Sequence, residues 1–422
     1  MKKLFVIGIA ALLLVAFTVP AMAKVKIGGI IFTDFYYMDR NKENSAFRRT
    51  GTGETSFNNT VIQLPNITRL YARWTNEDNV GLYIEMGMGQ TTGDTVGSVD
   101  SGVNLRHAYG WWDINPMFRI MVGKSTTPFA PLLPSQLIGV RTGGLNVVGL
   151  GYGPYYSGRH AQIRGTFTFS KNVKLAIALA DPNGWGNDTS AAWAAAYNFD
   201  GPWNGQEGQA YQANSKLPRV DFSVPLTFGS VKIYPGFLYQ RKSVDRLIGT
   251  SPPFNQNGGV DNTLDTWITS IGTRMGFGPF GLAAEFNYGE NWGNTRNLEG
   301  ASMPCMISGA SLVHPSPGTS EINDAETYGF WVDLYYKFGP VTPHLIYGQM
   351  KTKNKTDVGP TVADTEAKSQ MWGVSCPIDL AKGFRIRPEI MFYDDGDLKT
   401  AGSPSEDLGK YAIYGVQFQI TF

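Results

Sequence analysis

Cysteine and histidine are scarce: the 422 residues hold two of the first and four of the second. Two cysteines cannot build a four-thiolate metal site, and neither belongs to a Cys-x-x-Cys-His haem attachment sequence, so no cofactor is expected. Cys305 falls in a long polar segment and Cys376 near the opposite end of a strand, a poor geometry for a disulfide. His107, His160, His314 and His344 lie outside any Gly-x-Ser-x-Gly or His-Glu-x-x-His pattern, so no catalytic motif is legible. Net charge is nearly absent as well, at +1, which implies no polyanionic partner such as nucleic acid. Long apolar runs are missing beyond the first twenty residues, so no membrane helix is expected later in the chain.

What is present begins with a leader. Lys2 and Lys3 precede an apolar stretch over residues 4–19, Pro20, and the small-residue site Ala21-Met22-Ala23. This is the layout of a cleaved signal peptide over 1–23, with Lys24 as the expected first mature residue. Residues 24–422 show no linker or composition break and read as one domain. A mean hydropathy of −0.18 agrees with strands in which only every second residue is apolar. Aromatics at 13% and 50 glycines suit interfacial girdles and turns.

The chain end shows the pattern most clearly. Ala412, Tyr414, Val416, Phe418, Ile420 and Phe422 fall on one face of a strand. Tyr411, Ile413, Gly415, Gln417, Gln419 and Thr421 fall on the other, and Ile413 alone breaks the polar row. About sixteen such strands follow one another from 25–37 to 411–422. Short turns at 76–79, 113–116, 170–172, 229–230, 278–279, 339–340 and 379–383 alternate with long segments rich in Gly, Asn, Ser and Pro. The fold expected is an all-β, transmembrane antiparallel barrel with short periplasmic turns and long extracellular loops.

Side-chain phase then assigns the two faces. Val173, Leu175, Ile177 and Leu179 form an aliphatic row, opposite Lys174, Ala176, Ala178 and Ala180; the aliphatic row meets lipid. Tyr328, Phe330, Val332, Leu334, Tyr336 and Phe338 likewise point outward, opposite Trp331 and Asp333. An arginine facing lipid at the bilayer midplane costs about 2–4 kcal/mol, so strand arginines should face the lumen. This places Arg69, Arg73, Arg106, Arg119 and Arg164 inside, with Ile67 and Tyr71 beside them, and Arg385, Arg387 and Glu389 inside late in the chain. The expected result is a basic sector of strands two to six and fifteen. The plainer alternative is ordinary solvated wall residues, some paired with Glu85, Asp34 or Glu389. Tyr71, Tyr83 and Trp112 are candidate lumen aromatics.

This layout resembles the sixteen-stranded general and specific porins of Gram-negative outer membranes, by architecture rather than by sequence identity. The resemblance implies that the third long loop, residues 125–158, folds into the barrel as a constriction, and that Thr126-Thr127-Pro128-Phe129-Ala130-Pro131 begins its inward turn. It also implies a homotrimer set in outer-membrane lipid and lipopolysaccharide, and recognition by the barrel assembly machinery of the last strand ending in Phe422. Cation-preferring members carry acidic residues in that loop, whereas here no Asp or Glu lies between Lys124 and Arg159, and Arg141 is the loop's only full charge. With Lys124 at the loop's start, the arginines make a candidate constriction that favours anions, modestly and less so in salt. Their forked donors suit phosphate or carboxylate among the small hydrophilic solutes. Two competing readings are a structural sheath around a partner electron-transfer protein, which needs an open lumen, and a barrel hydrolase. Asp394-Asp395-Gly396-Asp397 could hold calcium but reads better as a solvated turn. Gly123-Lys124-Ser125-Thr126 lacks the upstream glycine of a phosphate loop, having Phe118 in its place.

Overall fold

The computed structural model describes residues 24–51, 59–65, 67–92, 99–136, 138, 149–156, 158–182, 210–215, 217–248, 263–295, 302–313, 321–358 and 361–422. The leader expected at 1–23, Arg141 and His314 lie outside the described residues. Sixteen antiparallel strands close into a barrel. In the first half they are β1 (Lys24–Arg40), β2 (Arg69–Thr75), β3 (Val80–Thr92), β4 (Val99–Asn115), β5 (Phe118–Thr126), β6 (Arg159–Thr168), β7 (Lys174–Ala180) and β8 (Arg219–Ser223, continued by Leu226–Phe228). The second half comprises β9 (Val231–Ile248), β10 (Thr263–Phe277), β11 (Phe280–Glu290), β12 (Glu326–Tyr336), β13 (His344–Val358), β14 (Thr361–Ser375), β15 (Phe384–Asp394) and β16 (Lys410–Thr421).

Closure depends on β1, which pairs with β16 from Ile30↔Thr421 to Arg40↔Tyr411 and with β2 from Lys24↔Thr75 to Ile30↔Arg69. Farther up, the short strand Asn59–Gln63 takes over from β2. Thr68 bridges the gap between them: its Oγ1 accepts from the Phe32 amide at 3.0 Å. Ile67, expected inside a strand, therefore precedes β2 and packs inward on Phe32 and Ile30. A closed ladder satisfies the backbone internally, which hydrocarbon demands because it offers no replacement hydrogen bonds.

Alternation builds the two faces. Ile177 and Leu179 are 37% and 45% exposed on the outside, while Ala178 between them is 0% exposed. Trp331 and Asp333 point in, and Leu334 points out. Phe169, Phe228, Phe277, Phe280, Phe338 and Phe422 stand exposed beside the short turns, where an aromatic girdle meets the membrane interface. Gly229, Gly278, Gly339 and Gly383 take positive φ in four of those turns, a conformation that side chains resist. Cys305 is buried and Cys376 half-buried.

Candidate functional site

The third long loop turns into the lumen, and its described residues pack against one half of the wall. Phe129, Leu132, Ile138, Leu150, Tyr152 and Tyr155 are at most 5% exposed. Ile138 and Tyr152 cluster with Tyr36 and Met38 of β1, Ile346, Met371, Met391 and Tyr393 of β13–β15, and Tyr411 and Ile413 of β16. Ile413 is thus no blemish on a polar face, because it forms part of the seat for the loop. Phe129 and Tyr155 pack with Leu238, Ile268, Trp292, Cys305 and Met350, and Leu132 with Ala283 and Trp331. Gly153 (φ +128) lets the loop backbone touch the sheet: a Cβ there would stand 2.2 Å from the Phe330 carbonyl oxygen.

Wall carboxylates hold the loop's backbone. The Ser135 amide donates to Asp333 Oδ2 at 2.9 Å, and the Ile138 amide donates to Glu389 Oε2 at 2.7 Å. Arg387 Nη1 donates to the Ser135 carbonyl at 3.0 Å and lies 4.0 Å from Glu389. Tyr152 donates its hydroxyl proton to Asp395 Oδ1 at 2.6 Å, and Asn44 Nδ2 donates to the other oxygen at 2.6 Å. The Asp394–Asp397 run therefore contributes a loop clasp, and Gly396 N closes its turn onto Asp394 at 2.9 Å. The Tyr155 and Thr295 hydroxyls share a hydrogen bond at 2.7 Å, and burial pushes the Tyr155 phenol up to about 12, keeping it neutral. Behind it Arg219 and Asp221 form a fully buried two-point ion pair at 2.7 and 2.6 Å.

The opposite arc, β2–β6, carries the arginines. Register places Arg69, Arg73, Tyr71, Tyr83, Glu85, Tyr109 and Trp111 on one inner face. Arg119 and Arg164 continue that face on β5 and β6, opposite Asp113 and Met121. Arg106 Nε donates to Glu85 Oε1 at 2.7 Å, Tyr83 donates to Glu85 Oε2 at 2.6 Å, and Arg69 lies 3.8 Å away. Arg119 pairs with Asp113 at 2.5 Å and lies over the Trp111 ring at 5.6 Å, while Arg73 lies over the same ring at 4.9 Å. Arg69, Arg73, Arg106, Arg119 and Arg164 thus share this inner face, with Glu85 and Asp113 among the carboxylates on it. Of the basic sector expected from strands two to six and fifteen, the arginines of β2–β6 lie on one inner face, some of them paired with carboxylates.

Four residues, Trp112, Lys124, Arg385 and Arg387, are placed differently from the sequence reading. Trp112 is 47% exposed and outward, whereas Trp111 is the lumen aromatic. A bulge where the register shifts between Glu85 and Met86 leaves Arg106 and His107 both on the inner side, so alternation reverses along the rest of β4. Lys124 pairs with Ala108 and Ala161, in phase with the outward Val122 and Ile163, because Gly123 and Ser125 occupy the inward positions. Arg385 and Arg387 do not join the arc: Arg385 binds Asp379 at 2.7 Å near the periplasmic rim, and Arg387 serves the loop.

A model of the Gram-negative porin family matches residues 10–398. The chain belongs to the Gram-negative porins. No curated protein matches it significantly, whereas solved porin barrels match it almost end to end. The outer-membrane channel DcaP of Acinetobacter baumannii is similar, with 16% identity, a TM-score of 0.63 and coverage of 96% of this chain and 99% of its own. An anion-selective porin from Comamonas acidovorans is 12% identical with a TM-score of 0.56 over 95% and 100%. OmpT of Vibrio cholerae, in its trimer form, is 11% identical with a TM-score of 0.54 over 95% and 99%.

The porin is an integral outer-membrane channel. The described part of its inward loop takes up one side of the lumen, whereas a sheath around a second protein needs an open one. His107 Nδ1 lies 3.2 Å from Ser125 Oγ, but Arg159 Nε donates to His107 Nε2 at 3.1 Å and engages the lone pair a general base uses. Sequence reasoning passed over Lys26, which pairs with Arg73 and adds a cation to the lumen. Extending the alternation of β1 down from Asp34 would have found it.

Proposed function

We propose that this porin is a passive diffusion channel for small hydrophilic solutes with a modest preference for anions, phosphate and carboxylate solutes among them. The observation that carries this reading is the unequal use of lumen charge. Asp333 and Glu389 are engaged with loop amides on one half of the wall, while the arc of β2–β6 keeps more guanidinium than carboxylate. A confined aqueous path along such an arc raises the local anion concentration. The likeness to an anion-selective porin supports the same sign. The solved trimer of a porin with this fold supports assembly into a homotrimer, embedded among outer-membrane lipid and lipopolysaccharide, with Phe422 ending the strand that the barrel assembly machinery would read. The test is the reversal potential of reconstituted channels under a tenfold KCl gradient. A chloride-favouring sign is expected; a potassium-favouring sign overturns the anion preference while leaving the channel.

A further inference from the structure

We infer that the arc discriminates among anions and favours those whose negative group is attached to an aromatic ring. This rests on the anion-preferring reading above. The inner face of β2–β4 carries a continuous set of rings: Tyr71 and Tyr83 stacked at 6.0 Å, Tyr83 and Tyr109 at 5.5 Å, and Tyr109 and Trp111 at 6.0 Å. Arginines flank the set at both ends, with Arg69 and Arg106 above it on Glu85 and Arg73 below it on Trp111. Tyr71, Tyr83 and Tyr109 are only partly buried. The buried apolar residues of the inward loop instead pack on β9–β16 and β1.

The pairing of the arginines makes the rings decisive. A compact anion must compete with Glu85 for Arg106, or with Asp113 for Arg119, and elsewhere on the arc gains only a screened Coulomb attraction. A ring-borne carboxylate meets the same guanidiniums and also lays its body on a tyrosine face, in the offset or edge-on geometries aromatic pairs prefer. A saturated ring of equal size and charge gains contact area without the quadrupole term. The Trp111 ring already receives the Arg73 guanidinium, so the wall itself displays the geometry in which planar cation and ring stack.

The test uses the whole mature porin, purified from outer membranes and reconstituted in planar bilayers. Chloride current is measured while benzoate or cyclohexanecarboxylate is titrated at constant ionic strength. Benzoate is expected to halve the current at about two- to tenfold lower concentration, the range of one aromatic contact. Tyr109→Leu or Tyr71→Leu should remove most of that difference, and Tyr109→Phe should keep it; should a leucine variant misfold, the other serves. Equal block by the two carboxylates, with chloride preference intact, overturns this inference alone. A difference that survives both leucine substitutions overturns it also, since the rings would then not be its source. A potassium-favouring reversal potential overturns the anion reading beneath it.

Discussion

The two inner walls, β2–β6 and β11–β15, present similar side chains to the lumen and use them in opposite ways. On β12 and β15 the carboxylates of Asp333 and Glu389 accept hydrogen bonds from loop amides, and apolar side chains of β13–β16 close over Ile138 and Tyr152. That wall behaves as the interior of a globular protein. On β2–β4 the charges are shared within the wall, Glu85 among Arg69, Arg106 and Tyr83, and rings lie between them. The difference shows that a charge in a channel wall informs on selectivity only when it is known whether a backbone amide has claimed it.

The most forceful way to break this comparison is to remove the loop's anchors. Asp333→Ala with Glu389→Ala should leave the Ser135 and Ile138 amides without acceptors, at a cost of about 2–5 kcal/mol to loop docking. Hydrogen exchange over residues 127–138 should accelerate and single-channel current should become noisier; unchanged protection would mean that apolar packing alone holds the loop. Gly153→Ala tests the same contact by sterics. Its Cβ would collide with the Phe330 carbonyl, and a loss of about 1–3 kcal/mol is expected, read from the same exchange rates.

On the other wall, replacing Arg69, Arg73 and Arg106 together by Gln should reduce the anion-to-cation permeability ratio by about fivefold, roughly 1 kcal/mol of potential at the arc. An unchanged ratio would separate the arginines from selectivity. Raising KCl from 0.1 to 1 M should weaken the wild-type preference as the Debye length falls from about 10 to 3 Å, and a ratio indifferent to salt would point to a desolvated site instead. The smallest effect belongs to the rim: Asp379→Asn, whose exposed carboxylate Arg385 holds below the usual range, should change thermal stability by less than about 1 kcal/mol.

Much of the barrel was legible because its signals are local. Strand alternation over 174–180 and 326–336 placed lipid-facing and lumen-facing rows where they stand, and the turn residues located the short connections. The absence of acid from residues 125–158 pointed to an inward loop of a different kind. The site was legible only in part. Arg69, Arg73, Arg106, Arg119 and Arg164 share an inner arc, but Trp111 and Trp112 were exchanged by a single bulge residue that no composition signal marks. A one-residue insertion reverses every side chain beyond it. Arg387 was assigned to the passage by phase, and phase was right; what the strand pattern could not give was its partner, the Ser135 carbonyl 252 residues away.

The sequence by itself determined the strands, their outward and inward faces wherever no bulge intervenes, and the short connections between them, because a pleated ladder in lipid obliges each second residue to be apolar and each turn to carry residues that tolerate it. Tertiary structure alone decided which lumen charges are claimed by the loop and which line the passage. That choice depends on contacts between residues hundreds of positions apart, such as Ile138 with Glu389 and Tyr152 with Asp395, which exist only once the barrel has closed and the loop has folded back onto its wall.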